Sequence, residues 1–257
     1  MPRVSSSKNI KRFSIYIAGL VQGVGFRPFV YQLAHKLKLS GWVKNSSQGV
    51  MIEIEGDEVI LKEFVDKLKV LSPVHSLIQS IEVLEIDPTH EITFIIKESV
   101  EHSKKSTTVL PDLSVCDLCL KEIFDPANRR YLYPFTNCTH CGPRYSIVEG
   151  IPYDRKNTTM SSFSMCDECA REYHDPLDRR FHAQPNACPI CGPRLELWNQ
   201  KGEIIAFKQF ALQQAVDAIK KGLIVAVKGV GGFHLCVDAL NEKAVKELRA
   251  RKHREEK

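Results

Sequence analysis

The chain has 257 residues, with 43% hydrophobic and 26% charged residues and a formal net charge of +5, a composition typical of a globular protein with two or three domains. Its apolar runs are far shorter than the roughly 20 residues that span a bilayer, and the N-terminus lacks a signal-peptide core, so we expect a cytoplasmic protein without a membrane segment. Residues 243–257 alone hold seven Lys or Arg and three Glu, which indicates a local anion site there and argues against a broad nucleic-acid face.

Strand and helix patterns alternate through the first 98 residues. Alternating apolar residues and helical spacing mark the elements. Strand patterns cover 13–20, 42–46, 49–56, 78–86 and, more weakly, 92–96, and helical patterns cover 28–37 and 60–71. Asp57 is suited to cap the second helix. The order β-α-β-β-α-β with one extra edge strand predicts an α+β, ferredoxin-like domain over residues 1–98.

The loop between the first strand and the first helix contains two glycines, Gly23 and Gly25. Because glycine tolerates unusual dihedrals, the loop N–H groups can turn inward beside a helix N-terminus. Arg27 adds a bidentate anion donor. The pattern favours a phosphate cradle, although a simple tight turn accounts for the same residues. The candidate phosphate-binding residues are Gln22, Gly23, Val24, Gly25, Phe26 and Arg27.

Asn45 follows at the end of a strand that can lie beside this loop, where its amide can orient a water without titrating. The stretches GLVQGVGFRPFVYQLAHKL and GWVKNSSQGVMIEIEG resemble the two signatures of acylphosphatases. The resemblance covers residues 10–98. It implies that Arg27 binds a phosphate with the backbone of residues 22–26, and that Asn45 positions the attacking water.

A polar segment without periodicity, residues 98–108, indicates a linker, and an internal repeat follows it. Residues 116–144 realign with residues 166–194 at an offset of 50, with 13 of 29 positions identical. Each copy reads C-x2-C-x18-C-x2-C, which presents four thiolates to a tetrahedral zinc and leaves no position for water. We expect two structural zinc ions that replace a hydrophobic core. The predicted ligands are Cys116, Cys119, Cys138, Cys141, Cys166, Cys169, Cys188 and Cys191.

Sequence leaves the pairing of these cysteine pairs open, because sequential and nested arrangements satisfy the same chemistry. Disulfides or free thiols are the alternative to zinc. Basic and aromatic residues in NRRYLYPF and DRRFHAQPN leave open a second function, a zinc module that binds nucleic acid or protein without catalysis. The same residues can pack the zinc loops, which we favour, so nucleic acid is not an expected partner.

The last segment, residues 196–257, has a hairpin at Lys201-Gly202, a helix over 208–221, a strand over 223–229 and a basic helix from about Asn241. It is too short for a complete core, so we expect the chain to end inside a domain. The glycine-rich KGVGGFHL lacks the G-K-[ST] of a P-loop.

Taken together, an acylphosphatase-like domain (1–98), a linker with two four-cysteine fingers (99–195) and GLIVAVKGVGGFHLCVDA resemble the N-terminal part of the HypF family, carbamoyltransferases that mature [NiFe] hydrogenases. The resemblance implies that the first domain hydrolyses carbamoyl phosphate. It implies that residues 196–257 begin an α/β YrdC-like domain, which makes carbamoyl adenylate from ATP in the full-length protein. A later domain then passes the carbamoyl group to the C-terminal cysteine of a HypE-type partner.

The same resemblance implies nucleotide contacts for Lys228, Arg249, Lys252, Arg254 and Lys257, with a solvated basic helix as the alternative for each. Because the transferase part is missing, we expect this chain to hydrolyse the acyl phosphate bond without completing the ATP-dependent transfer.

Overall fold

A five-stranded sheet with two packed helices forms the first part of the computed structural model, which describes residues 10–99 and 108–253. The strands and helices are β1 (Ile10–Leu20), α1 (Phe26–Lys36), β2 (Ser40–Ser46), β3 (Gly49–Asp57), α2 (Glu58–Val70), β4 (Leu77–Ile86) and β5 (Phe94–Ile96). The sheet order is β4-β1-β3-β2-β5, antiparallel except for the β2–β5 pair. The ferredoxin-like α+β prediction is confirmed.

Alternation along the strands builds the core of this part. Ile15 of β1 lies opposite Ile52 of β3, and both are fully buried because strand residues two apart share a face. Leu61 and Phe64 of α2 complete the same core. As predicted, Asp57 caps α2 and accepts a hydrogen bond from the Val59 N–H at 3.0 Å. This rigid framework fixes the end of β1, the start of α1 and the end of β2.

Two short helices follow, one in each copy of the repeat. They are α3 (Asp117–Phe124) and α4 (Asp167–His174), and each starts directly after the first cysteine of its copy. We name residues 116–144 finger 1, residues 166–194 finger 2, and residues 145–165 the inter-finger segment. That segment contains three short 3-10 helices, Tyr145–Ile147, Arg155–Asn157 and Thr159–Ser162.

Two hairpins and two helices form the last described part: β6 (Glu196–Trp198), β7 (Ile204–Phe207), α5 (Lys208–Lys220), β8 (Val225–Gly229), β9 (Gly232–Cys236) and α6 (Glu242–Lys252). The predicted first hairpin, strand and helices are present. Strand β9 was missed, because the glycine-rich stretch forms a tight turn that pairs Gly229 with Gly232. Within the described part of this segment, only alanines are buried among the hydrophobic residues, as expected for an incomplete core.

The described ranges contain no helix that is both long and apolar enough to cross a membrane. Arg254 and Lys257 of the predicted nucleotide set, and most of the predicted linker, lie outside the described residues.

Candidate active site and metal centres

The glycine-rich loop passes from the end of β1 into α1. Gly23 and Gly25 have φ angles of 72° and 77°, the left-handed region that glycine occupies without strain. The Gln22 amide donates to the carbonyl oxygens of Ser46 at 2.6 Å and Gly49 at 2.9 Å. These bonds hold the loop against the turn between β2 and β3, next to Asn45.

Arg27 and Asn45 lie side by side below this loop. Both are buried, with 8% and 2% of their surface exposed. With its oxygen turned toward the guanidinium, the Asn45 amide accepts hydrogen bonds from Nη2 and Nε of Arg27, each at 3.2 Å. The two predicted catalytic side chains are thus brought together from α1 and β2, although they are 18 positions apart in sequence.

The inter-finger segment covers this pair, which sequence analysis did not foresee. The Tyr153 N–H donates to Oε1 of Gln22 at 2.9 Å, and the Tyr153 carbonyl oxygen lies 3.4 Å from Nη2 of Arg27. Asp154 follows with an ion pair, its Oδ1 lying 2.7 Å from Nη1 of Arg27. The site is therefore built from two parts of the chain more than a hundred residues apart.

Both fingers add walls to the same pocket. Arg144, at the end of finger 1, is 1% exposed and donates to the Gly23 carbonyl as well as to the carbonyl oxygens of Thr139 at 2.9 Å and Cys141 at 3.0 Å. His182 of finger 2 lines the same pocket. Burial, followed by the charge of Arg27, lowers the pKa of His182 to about 3, so the imidazole is neutral there at pH 7.

The eight predicted cysteine ligands form two clusters, one in each finger. Pairing is therefore sequential. In finger 1 the sulfur atoms of Cys116 and Cys138 are 3.8 Å apart, and those of Cys138 and Cys141 are 3.7 Å apart. A tetrahedron with zinc–sulfur bonds of about 2.3 Å has sulfur–sulfur edges of about 3.8 Å.

Finger 2 has the same geometry, with 3.7 Å between the sulfurs of Cys166 and Cys188, 3.7 Å between those of Cys188 and Cys191, and 3.6 Å between those of Cys169 and Cys191. None of these eight cysteines forms a disulfide. Both donor sets fit a structural zinc ion, which would hold each finger together through four thiolates.

Arginines from each finger reach across to the cysteines of the other. Arg179 donates to the sulfur of Cys119 at 3.0 Å, and Arg129 donates to the sulfur of Cys169 at 3.3 Å. Positions 129 and 179 are equivalent at the repeat offset, as are 119 and 169. The two contacts are therefore related by the duplication.

Two glutamates complete these crossed arginine pairs. Glu172 binds Arg129 at 2.7 Å and Arg130 at 2.5 Å, and Glu122 binds Arg179 at 2.6 Å as well as Arg180. Burial would raise the pKa of Glu172, but hydrogen bonds from Arg130 and Arg129 outweigh it and lower the pKa to about 2. The glutamate and the two adjacent arginines that both copies share therefore form ion pairs between the fingers.

The predicted nucleotide residues are distributed over two elements. Lys228 is exposed on β8, and Arg249 and Lys252 are exposed on α6. Their side chains lie on the surface of the described structure, unlike the buried side chains of Arg27 and Asn45.

A sheet of this topology, a glycine loop with a buried arginine and asparagine, and paired four-cysteine clusters define an acylphosphatase-type protein fused to zinc fingers. The acylphosphatase family model matches residues 13–96, the family model described as HypF finger matches residues 115–148 and 165–198, and the one described as Telomere recombination matches residues 217–257. The chain belongs to the HypF family and corresponds to its N-terminal portion.

Curated relatives agree with this assignment. The carbamoyltransferase HypF of Synechocystis is 54% identical over 96% of this chain, which covers 32% of that protein. The crystal structure of full-length HypF in the phosphate- and nucleotide-bound form superposes with a TM-score of 0.86 at 47% identity, covering 97% of this chain and 32% of that one. An acylphosphatase of Moorella thermoacetica is 39% identical over 36% of this chain and 99% of its own length. The chain therefore spans about a third of the HypF relatives that it matches.

Proposed function

We propose that this chain binds carbamoyl phosphate at the Arg27–Asn45 site and hydrolyses it to carbamate and inorganic phosphate. The observation that supports the proposal best is the direct contact between these two buried side chains beside the glycine loop. Acylphosphatase relatives with the same signatures, such as that of Moorella thermoacetica, support hydrolysis of an acyl phosphate. The relatives named as carbamoyltransferases support carbamoyl as the acyl group.

Each part of the site has a role in this proposal. The guanidinium of Arg27 and the backbone N–H groups of residues 22–26 hold the negative charge of the phosphoryl group. The Asn45 amide orients the attacking water. Donors fixed in place before the reaction are more effective than solvent, because they need no rearrangement as charge develops. An acyl phosphate is already activated, so charge binding and alignment of water account for the catalysis.

The remaining steps need the rest of a full-length protein, and we propose them for that protein. ATP would convert the carbamoyl group to carbamoyl adenylate, and a HypE-type partner would accept it on a C-terminal cysteine. Lys228, Arg249 and Lys252, with Arg254 and Lys257, would contribute to the nucleotide site. The relative described as phosphate- and nucleotide-bound supports both ligands for the complete protein.

We also propose the domain boundaries 1–98, 99–195 and 196–257, and the cytoplasm as the compartment, because eight zinc-binding thiols require reducing conditions. Both zinc ions are proposed as structural, since four thiolates complete the coordination of each.

Steady-state hydrolysis of carbamoyl phosphate tests the proposed site. We expect Arg27→Ala and Asn45→Ala each to lower kcat/KM by roughly 100- to 1,000-fold, the typical loss for one fixed donor. Arg194→Ala, which removes an exposed arginine, is the matched control and should retain full activity. Unchanged hydrolysis in both site variants would refute the assignment. Incubated with ATP, the chain should form no AMP, and detection of carbamoyl adenylate would contradict the expected division of steps.

A further inference from the structure

We propose that Asp154 is a positioning residue of the acyl phosphate site, which holds Arg27 between catalytic cycles and is displaced from it by the phosphoryl group. The inference rests on the proposed role of Arg27 in phosphate binding. Its starting observation is the ion pair between Oδ1 of Asp154 and Nη1 of Arg27 at 2.7 Å, with the two side chains 14% and 9% exposed. The arginine that the proposed reaction requires is therefore paired with a carboxylate.

The guanidinium of Arg27 is engaged on both of its edges. Its Nε and Nη2 face Asn45 at 3.2 Å. Its Nη1 faces Asp154, with Oγ of Ser99 at 3.4 Å, and its Nη2 also lies 3.4 Å from the carbonyl oxygen of Tyr153. A phosphoryl group that binds a guanidinium through two parallel hydrogen bonds needs one edge. It must therefore replace Asn45, or Asp154 together with the longer contact of the Tyr153 carbonyl oxygen.

Charge decides which of the two is replaced. Asn45 is neutral and tolerates a neighbouring phosphate, whereas the carboxylate of Asp154 carries the same sign of charge as the phosphoryl group. Two negative charges that contact the same guanidinium in a poorly hydrated site repel each other strongly. The phosphoryl group and Asp154 thus compete for Arg27, and the ion pair re-forms when inorganic phosphate leaves.

The backbone on both sides of Asp154 is anchored. Tyr153 donates its N–H to Gln22, and Arg155 donates its N–H to Oε1 of Gln184 at 2.7 Å and its Nη1 to the carbonyl oxygens of Gln184 and Asn186 at 2.6 and 2.9 Å. The ion pair with Arg27 therefore breaks by rotation of the Asp154 side chain, without movement of its backbone. Contacts with finger 2 thus fix the backbone next to Asp154, and the ion pair itself depends only on the Asp154 side chain.

Direct binding of inorganic phosphate to the full 257-residue chain, measured by calorimetry, tests the competition. Asp154→Asn keeps the side-chain volume and removes the charge, and we expect the phosphate Kd to fall roughly tenfold. The KM for carbamoyl phosphate should fall with it, while kcat does not rise, because the product is held more tightly. Glu149→Gln removes an exposed carboxylate from the same segment and should change neither constant.

Phosphate binding that is unchanged or weaker in Asp154→Asn, with a wild-type Tm, would overturn the inference. Asp154→Ala repeats the test without any side-chain acceptor, and it too should bind phosphate more tightly. The two proposals fail separately. Loss of hydrolysis in Arg27→Ala combined with unaltered phosphate affinity in Asp154→Asn removes only the role of Asp154, whereas wild-type hydrolysis in Arg27→Ala removes the site itself.

Discussion

Finger 1 and finger 2 share a motif and a cluster geometry, yet they contact the first domain through different residues. Arg144 and Arg194 occupy the same place in the repeat. Arg144 is 1% exposed and donates to the glycine loop. The side chain of Arg194 is 56% exposed, contacts Glu196 at 3.3 Å and lies over the ring of Phe207. Finger 2 instead packs through its middle, where Phe181 lies against Tyr31 of α1 with ring centroids 5.3 Å apart.

The contacts between the two fingers are symmetric, whereas their contacts with the glycine loop and α1 of the first domain are not. The crossed arginine pairs use equivalent positions in both copies, so the duplication preserved the contact that joins the two zinc clusters. Contacts with the first domain use the end of one copy and the loop of the other. The two copies of a duplicated zinc module thus contribute different residues to one pocket.

Zinc removal should have the largest effect, because each cluster replaces a hydrophobic core. Structural zinc sites of this kind contribute about 10–16 kcal/mol of apparent binding free energy. After chelation we expect amide hydrogen exchange to speed up throughout both fingers, while β1–β5 stay protected by their own core. Hydrolysis of carbamoyl phosphate should fall, since the pocket loses Arg144 and His182. Fingers that stay protected after complete zinc loss would contradict a structural role for the metal.

Replacement of Arg144 or Arg194 by alanine should have different effects on stability, although the two arginines are equivalent in the repeat. Arg144→Ala leaves buried carbonyl oxygens of Gly23, Thr139 and Cys141 without their donor, and we expect a loss of about 3 to 4 kcal/mol in the free energy of unfolding. Arg194→Ala is the matched control, with an expected change within about 0.5 kcal/mol. Urea unfolding measures both. Equal losses in the two variants would show that finger 1 does not depend on its buried end.

The elements of the first domain could be predicted because their periodicity is local. Asp57 as a cap and the alternation of Ile15 and Ile17 need only a few neighbouring residues to be interpreted, and both are present in the structure. Cysteine spacing predicted the eight ligand residues for the same reason. The choice between sequential and nested pairing was not local, and the structure decided it.

The segment that covers Arg27 and Asn45 could not be predicted in the same way. Tyr153 and Asp154 lie in a segment without periodicity, and they reach Arg27 across more than a hundred residues. Such a contact depends on how the fingers pack against the first domain, and no local pattern in a single sequence predicts that packing. The repeated glutamates and arginines did carry a signal. Identity at the positions of Glu122 and Glu172, which cannot add a ligand to a complete four-thiolate site, could have pointed to a contact between the copies.

Loss of an arginine–cysteine contact between the fingers should have the smallest effect. The test is which of the two fingers is affected. Arg179 belongs to finger 2 but donates to Cys119 of finger 1. Replacing a residue that hydrogen-bonds a metal ligand typically lowers metal affinity by about 10- to 100-fold, so Arg179→Met should make the cysteines of finger 1 react faster with an alkylating reagent. Arg129→Met should have the same effect on finger 2. Mass spectrometry of the alkylated peptides identifies the finger. Faster alkylation confined to the finger that carries the substitution would mean that each zinc cluster is stabilised by its own loop, and that the symmetry between the two copies has no energetic role.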